Sequence, residues 1–410
     1  MVYATRGDVR LQEASDLKAH LASMLRLENV GVLLGAGASV PAGGQTITQA
    51  WQQFLTQSKD SANWLEQNGF IDASHLQEGD EGQAPNLEDL IDALTIALTE
   101  WKRAGSELLE AGSKVHQDLY RALVKASVLN ENWWRWKTLK DDDAASLKCH
   151  RTLIQKLSAS RQPGQGAPWI FTTNYDLAVE WAAESIGISV SNGFLGTHRR
   201  QFSPQSFDLG FRNLHARGEA RFGVYNIYLA KLHGSLTWVN DSEQLIEIPA
   251  PFSRKLIHTF LEGESDELGL MVLPSAAKYL QTTGFILGEL LRRFSEFLSR
   301  SQTCLFVSGY SFGDEHINRL LLGALLNPTL QMVIYFPEFD PEHSIDSFPA
   351  TLQNILSVNS PRVTVVGGGS SAFFDEFIAH LPEPAFFDDS LAEYAHRISQ
   401  ADNDRNLDEE

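Results

Sequence analysis

Val30-Gly31-Val32-Leu33-Leu34-Gly35-Ala36-Gly37-Ala38-Ser39 is the stretch that decides the fold. Its first half is apolar on both faces and too short for a helix. That pattern predicts a strand buried between two layers, as in a parallel sheet. Its second half is a turn of small residues. Such a turn lets backbone N–H groups approach a pyrophosphate at a helix N-terminus. The dinucleotide pattern G-x-G-x-x-G is not met, because Val40 stands where the third glycine belongs. No Gly-Lys-Ser/Thr follows, so the turn is not a P-loop. Taken alone, it reads equally well as a tight strand-to-helix connection.

Similar short apolar runs recur after Pro163: Trp169 to Thr172, Val224 to Leu232, Leu268 to Leu273, Cys304 to Ser308, Met332 to Phe336 and Val363 to Val366. Helical patterns separate them, notably at Leu177 to Ile186, Tyr279 to Leu298 and Glu315 to Leu326. Strands alternating with helices predict an α/β fold with a Rossmann-like, doubly wound parallel sheet. Residues 10–27 have a helical period, through Leu11, Leu17, Leu21, Met24 and Leu25.

Residues 46–160 read differently. Helical patterns dominate at Leu87 to Leu98, Leu108 to Leu123 and Ala144 to Leu157. Trp51, Trp64, Trp101, Trp133, Trp134 and Trp136 fall here and read as core anchors. The expected division is a sheet domain over 1–45 and 161–382, with 46–160 as a large helical insertion or second lobe. Residues 383–410 read as a frayed acidic tail, since acids far outnumber Arg397 and Arg405.

Bulk properties narrow the function. At 410 residues the chain exceeds what one core usually supports, roughly 250–300 residues. The net charge is −19, which argues against direct contact with nucleic acid or an anionic membrane. Arg199-Arg200 and Arg292-Arg293 are the adjacent arginine pairs of note and read as solvated faces. Cys149 and Cys304 alone cannot make a disulfide framework or a four-cysteine zinc site. Met1 to Leu25 has no apolar signal core, and no run reaches the roughly 18 apolar residues of a membrane span. A reduced, cytoplasmic location is expected.

Three further strand ends carry polar residues, and ligands in open parallel sheets sit at strand carboxyl ends. Thr172-Thr173-Asn174-Tyr175-Asp176 follows one strand; capping of the next helix explains one of these residues but not the cluster. His233-Gly234-Ser235 ends another, and an imidazole with an ordinary pKa near 6.5 suits a general base. His198 and His215 lack this setting. Gly309-Tyr310-Ser311-Phe312-Gly313-Asp314 ends the third and has three readings. It fits the G-x-S-x-G nucleophile elbow, with Asp375 and His380 downstream. Ser311 with Asp314 also resembles a capping box before Glu315. A nucleotide-contacting loop is the third.

Together these four strand ends resemble the sirtuin family. Its Gly-Ala-Gly-x-Ser turn, Thr-Gln-Asn-x-Asp segment, His-Gly pair and late Gly-Thr-Ser are similar to Gly35–Ser39, Thr172–Asp176, His233-Gly234 and Gly309–Ser311, in the same order. The resemblance covers about residues 29–45 and 168–316. Two features depart from the deacylases. The four-cysteine zinc ribbon cannot be built, and Ala42-Gly43-Gly44-Gln45-Thr46-Ile47 stands where a Gly-Ile-Pro-Asp-Phe-Arg segment belongs. What remains resembles the bacterial sirtuin-like domain of anti-phage defence systems, some members of which assemble with a HerA-type ATPase.

The resemblance implies an NAD hydrolase releasing nicotinamide and ADP-ribose, with NAD as substrate and no zinc. It implies that Gly35, Ala36, Gly37 and Ser39 hold the pyrophosphate and nearby ribose. Asn174 would serve the nicotinamide ribose and place water, with Thr173 beside it in the position of the family's Gln. Asp176 would bind the carboxamide, His233 would accept a proton, and Gly309 and Ser311 would contact the adenosine half. A homo-oligomer and a HerA-type ATPase partner are expected. The rival readings are a protein deacylase, a serine hydrolase using Ser311, and a silent nucleotide-sensing subunit.

Overall fold

The computed structural model describes residues 3–11, 13–77, 84–129, 146–161, 165–197, 199–210, 225–241, 244–265, 268 and 282–383. In chain order the first elements are β1 (Tyr3–Arg6), β2 (Val9–Leu11), α1 (Ala14–Leu25) and β3 (Asn29–Leu34). A helical segment follows, with α2 (Ile47–Gln57), α3 (Lys59–Gln67), α4 (Leu87–Ala104), α5 (Leu108–Ser127) and α6 (Lys148–Ala159). Next come β4 (Trp169–Thr172), α7 (Ala178–Ser185), β5 (Ser189–Ser191), β6 (Phe194–Leu195), β7 (Arg200–Phe202), β8 (Asn226–Lys231), β9 (Trp238–Asp241) and β10 (Gln244–Glu247). The chain continues through α8 (Ala250–Leu261), α9 (Thr282–Ser299), β11 (Thr303–Ser308), α10 (Glu315–Ala324), β12 (Leu330–Tyr335), α11 (Ala350–Ser357), β13 (Val363–Gly367) and α12 (Phe374–His380).

Nine strands form one sheet in the order β2-β1-β13-β12-β11-β3-β4-β8-β5. From β13 to β5 every pairing is parallel; β1 and β2 add an antiparallel hairpin at one edge. The strand following β3 in the sheet's chain order lies on one side of it, and β11 lies on the other. The doubly wound sheet therefore has its topological switch point between β3 and β11, where a crevice opens at the strand carboxyl ends. A second, antiparallel sheet of four short strands runs β6-β7-β10-β9.

Alternate residues of one strand face opposite sides. Val30, Val32 and Leu34 of β3 belong to one hydrophobic core, whereas Leu33 belongs to another; Phe306 and Val307 of β11 divide in the same way. The sheet is thus buried on both faces, as the continuous apolar runs predict. The first core continues into the helical segment through Trp51, Phe54, Leu90, Leu94 and Leu119, so α2, α4 and α5 share the apolar core of one sheet face. The second core is closed by α9, α10 and α11.

Several expectations are modified. The helical period of 10–27 starts too early, because Arg10 and Leu11 pair with β1 and the helix opens at Ala14. The small-residue turn after β3 enters a 3₁₀ segment, Ala36–Ala42, not an α-helix. Helix α6 packs on α7, α12 and β8, against the sheet domain. Trp133, Trp134, Trp136, His198, His215, most of the strand expected at 268–273 and the tail beyond Glu383 lie outside the described residues. Among the described residues no helix is long and apolar enough to cross a membrane.

Candidate active site

The carboxyl ends of β3 and β11 touch. Gly35 N–H donates to the Ser308 carbonyl at 3.1 Å, and Gly37 N–H donates to the Gly309 carbonyl at 3.0 Å. A Cβ on Gly35 would stand 2.4 Å from the Gly309 oxygen, and one on Gly309 2.4 Å from the Ala38 nitrogen. Gly309 also has a left-handed φ of 68°. These three glycines are therefore required by the close approach of two loops. They pack against one another at the switch point.

A cavity of about 310 Å³ opens beside this contact. One wall comes from the strand ends: Ala36, Ser39, Thr173, Asn174, Asp176, His233 and Ser311. The other comes from the helical segment, including Thr46, Asn86, Glu88 and Ser127. The structure thus gathers residues from four strand-end motifs into one place, while Gly35, Gly37 and Gly309 form the packed contact that brings two of those motifs together.

Motifs one and two interlock through hydrogen bonds. The Asn174 amide donates to the Gly35 carbonyl at 2.9 Å and to Ser39 Oγ at 2.7 Å. Ser39 Oγ donates to Asp176 Oδ2 at 2.5 Å, and Asp176 Oδ1 accepts from Ala178 N–H at 2.9 Å. Asp176 thus lines the cavity and also holds the first N–H of α7, although Leu177, not Asp176, stands at the N-cap position. Beneath it, the buried Lys231 ammonium donates to the Asp176 carbonyl and to Glu180 at 3.1 Å. Thr172 Oγ1 braces the turn by accepting from Asn174 N–H at 3.0 Å.

His233 sits on the end of β8, and both its ring nitrogens face carboxylates. Nε2 lies 2.5 Å from Asp314 Oδ2, and Nδ1 lies 3.1 Å from Glu88 Oε2. Burial alone would lower the histidine pKa; the Glu88 charge and the hydrogen bonds to Asp314 and Glu88 outweigh it and push it up to about 10. The ordinary value expected from sequence does not hold here, and at neutral pH the ring is an imidazolium. Burial would raise the Asp314 carboxyl, but the His233 hydrogen bond and charge hold it below its usual range. Tyr175 donates its hydroxyl to Glu88 Oε1 at 2.5 Å, and burial keeps that phenol neutral.

Among the described residues, Glu88, His233 and Asp314 are a set whose ligand-type atoms lie within 4.8 Å of one another. An ion coordinates one nitrogen of a given imidazole, whereas each nitrogen here has its own carboxylate. The geometry is that of an imidazolium whose two N–H groups each donate to one carboxylate.

Two of these groups were not legible as site residues. Asp314 reads as the second half of a capping box with Ser311; in the structure it is itself the N-cap, its Oδ1 accepting from Ile317 N–H at 3.0 Å while Oδ2 faces His233. Glu88, in the first turn of α4, carries no sequence signal beyond an acid favoured by the helix dipole. Ser311 is exposed on the cavity wall. His380, the base that a nucleophile elbow would need, is instead buried against the Tyr335 hydroxyl at 3.2 Å.

No curated protein matches this chain. Residues 168–348 match a family model described as a SIR2-like domain, which spans the second, third and fourth strand-end motifs. That match, on an α/β sheet with its cavity at the switch point, supports the sirtuin-like family and an NAD-related function for the domain.

Proposed function

We propose that the chain is an NAD glycohydrolase, cleaving NAD with water to nicotinamide and ADP-ribose. The observation that carries this reading is the convergence of Ser39, Asn174, Asp176 and His233 in one cavity at the switch point. In the proposed reaction the bond between C1′ of the ribose and the nicotinamide nitrogen breaks. Its electron pair leaves on nicotinamide, which departs neutral and needs no general acid. Water adds to C1′ and gives up one proton. Asn174 positions the ribose and water, Asp176 receives the carboxamide, and neutral His233 takes the proton. Positioning contributes much of the barrier reduction, and a histidine base adds about 10²–10⁴-fold.

The resemblance to defence-associated domains supports a role in depleting NAD during phage infection. An always-active enzyme of this kind would kill its host, so the resting chain is expected to be weakly active. With a net charge of −19, contact with invading DNA would run through a partner, and a HerA-type ATPase fits that part. The test is incubation of the purified chain with NAD, with and without such a partner, and identification of products by mass. Nicotinamide and ADP-ribose are expected from the wild type, with a loss of at least about 10²-fold in His233→Ala and Asn174→Ala. Full hydrolysis in both variants would remove the site assignment. Nicotinamide release only with an acylated peptide would replace it with a deacylase.

A further inference from the structure

A histidine that works as a base keeps one nitrogen free. In a carboxylate–histidine pair the carboxylate orients the ring through one nitrogen, and the other exchanges the proton. Here both are occupied, so one carboxylate must leave before His233 can accept a proton. The two are held very differently. Asp314 is fixed by its own backbone: it caps α10, and its carbonyl accepts from the Tyr310 hydroxyl at 3.2 Å. Glu88 belongs to α4, in the helical segment across the cavity, and has a second partner ready in the Tyr175 hydroxyl. It can give up the ring and remain hydrogen-bonded. Asn86, which caps α4, reaches the Gly313 carbonyl at a long 3.5 Å, a weak tie between the start of that helix and the Asp314 loop.

We infer that Glu88 is a removable plug on the Nδ1 side of His233, and that Asp314 is the fixed carboxylate that orients the ring. Withdrawal of Glu88, by rotation away from the ring while the Tyr175 hydroxyl holds it or by movement of α4, lowers the ring's proton affinity; Nδ1 then releases its proton to solvent, and the neutral nitrogen takes the proton from water. Glu88 is thus a positioning residue whose release switches the base on. This rests on the NAD hydrolase reading.

The charged and titratable groups around the ring are Glu88 and Asp89 from α4, Asp314 from the start of α10, Tyr175 after β4, and Tyr310 after β11. Both tyrosines are held neutral by burial, and the Asp89 carboxyl is raised by burial and by the charges of Glu88 and Asp314. The two carboxylates on the ring therefore dominate its proton affinity.

The experiment uses the full chain and its Glu88→Gln, Glu88→Ala and Asp314→Asn variants. Imidazole NMR follows the His233 titration without NAD, and NAD turnover is measured against pH. In Glu88→Gln the titration midpoint falls, and each unit of fall raises the neutral fraction at pH 7 about tenfold. Turnover at pH 7 should rise by at least about tenfold, with the acid limb of the profile moved to lower pH. Glu88→Ala should follow it. Asp314→Asn should also lower the midpoint but reduce kcat. A merely structural role would lower activity in all three. An unchanged midpoint in both Glu88 variants overturns the inference, as does reduced turnover in both while Asp314→Asn behaves alike. If no variant turns over NAD but the midpoint falls as stated, the carboxylate pairing stands and the hydrolase reading, with the plug's catalytic purpose, is overturned.

Discussion

At the scale of single residues, the glycine turn illustrates how much a motif discloses. Its position after a buried strand was legible, because five consecutive residues lacked any polar face. The reason for the glycines was not, because Gly309 lies far away in sequence and only folding brings it against Gly35 and Gly37. Gly309→Ala should therefore be severe. It places a Cβ 2.4 Å from the Ala38 nitrogen and puts alanine in the left-handed region, which by itself costs about 1–3 kcal/mol. Chemical denaturation of that variant should show at least this loss; wild-type stability would show that the two loops do not meet as described. That His233 faces the crevice was legible from its place after a strand, and it does line the cavity. Its proton state was not, because that is set by Glu88 and Asp314, one from an element outside any recognisable motif.

At the scale of elements, the strands readable from sequence were the doubly buried ones in the middle of the large sheet: β3, β4, β8, β11, β12 and β13. The ones missed, β1, β2, β5 to β7, β9 and β10, are two to four residues long and lie in the edge hairpin, at the far edge or in the small sheet, where neighbours rather than local pattern select the conformation. Contacts between elements suggest two tests. Lys156 of α6 is buried, and its ammonium donates to the Ile378 and Leu381 carbonyls at 3.0 and 2.8 Å and pairs with Glu383. Lys156→Met leaves those carbonyls without this donor and should cost about 1–3 kcal/mol, with earlier proteolysis after α12. Unchanged stability would mean that α12 is not held through α6.

The clamp between α4 and α10 predicts a pH dependence. The His233 pKa is raised on folding, so its stabilisation is complete below pH 6.5 and is lost as pH rises towards about 10. Asp314 is lowered, so its part is present above pH 3.8 and is lost as pH falls through the depressed value. The melting temperature of the wild type should fall between pH 6.5 and 10 more steeply than that of His233→Gln. Parallel curves would contradict the ion pairs.

At the scale of the whole molecule, the helical segment and the sheet share an apolar core and enclose the cavity between them. The composition of 46–160 made its helices legible, but not that one of them places a carboxylate on His233. Glu88 both lines the cavity and faces His233, so a shift of α4 relative to the strand ends alters both. The central claim remains the reaction itself, and product analysis across pH tests it most directly. The purified chain incubated with NAD should yield nicotinamide and ADP-ribose, slowly at pH 7 and faster towards pH 10, with the activity lost in His233→Ala. Undiminished hydrolysis by His233→Ala would contradict it.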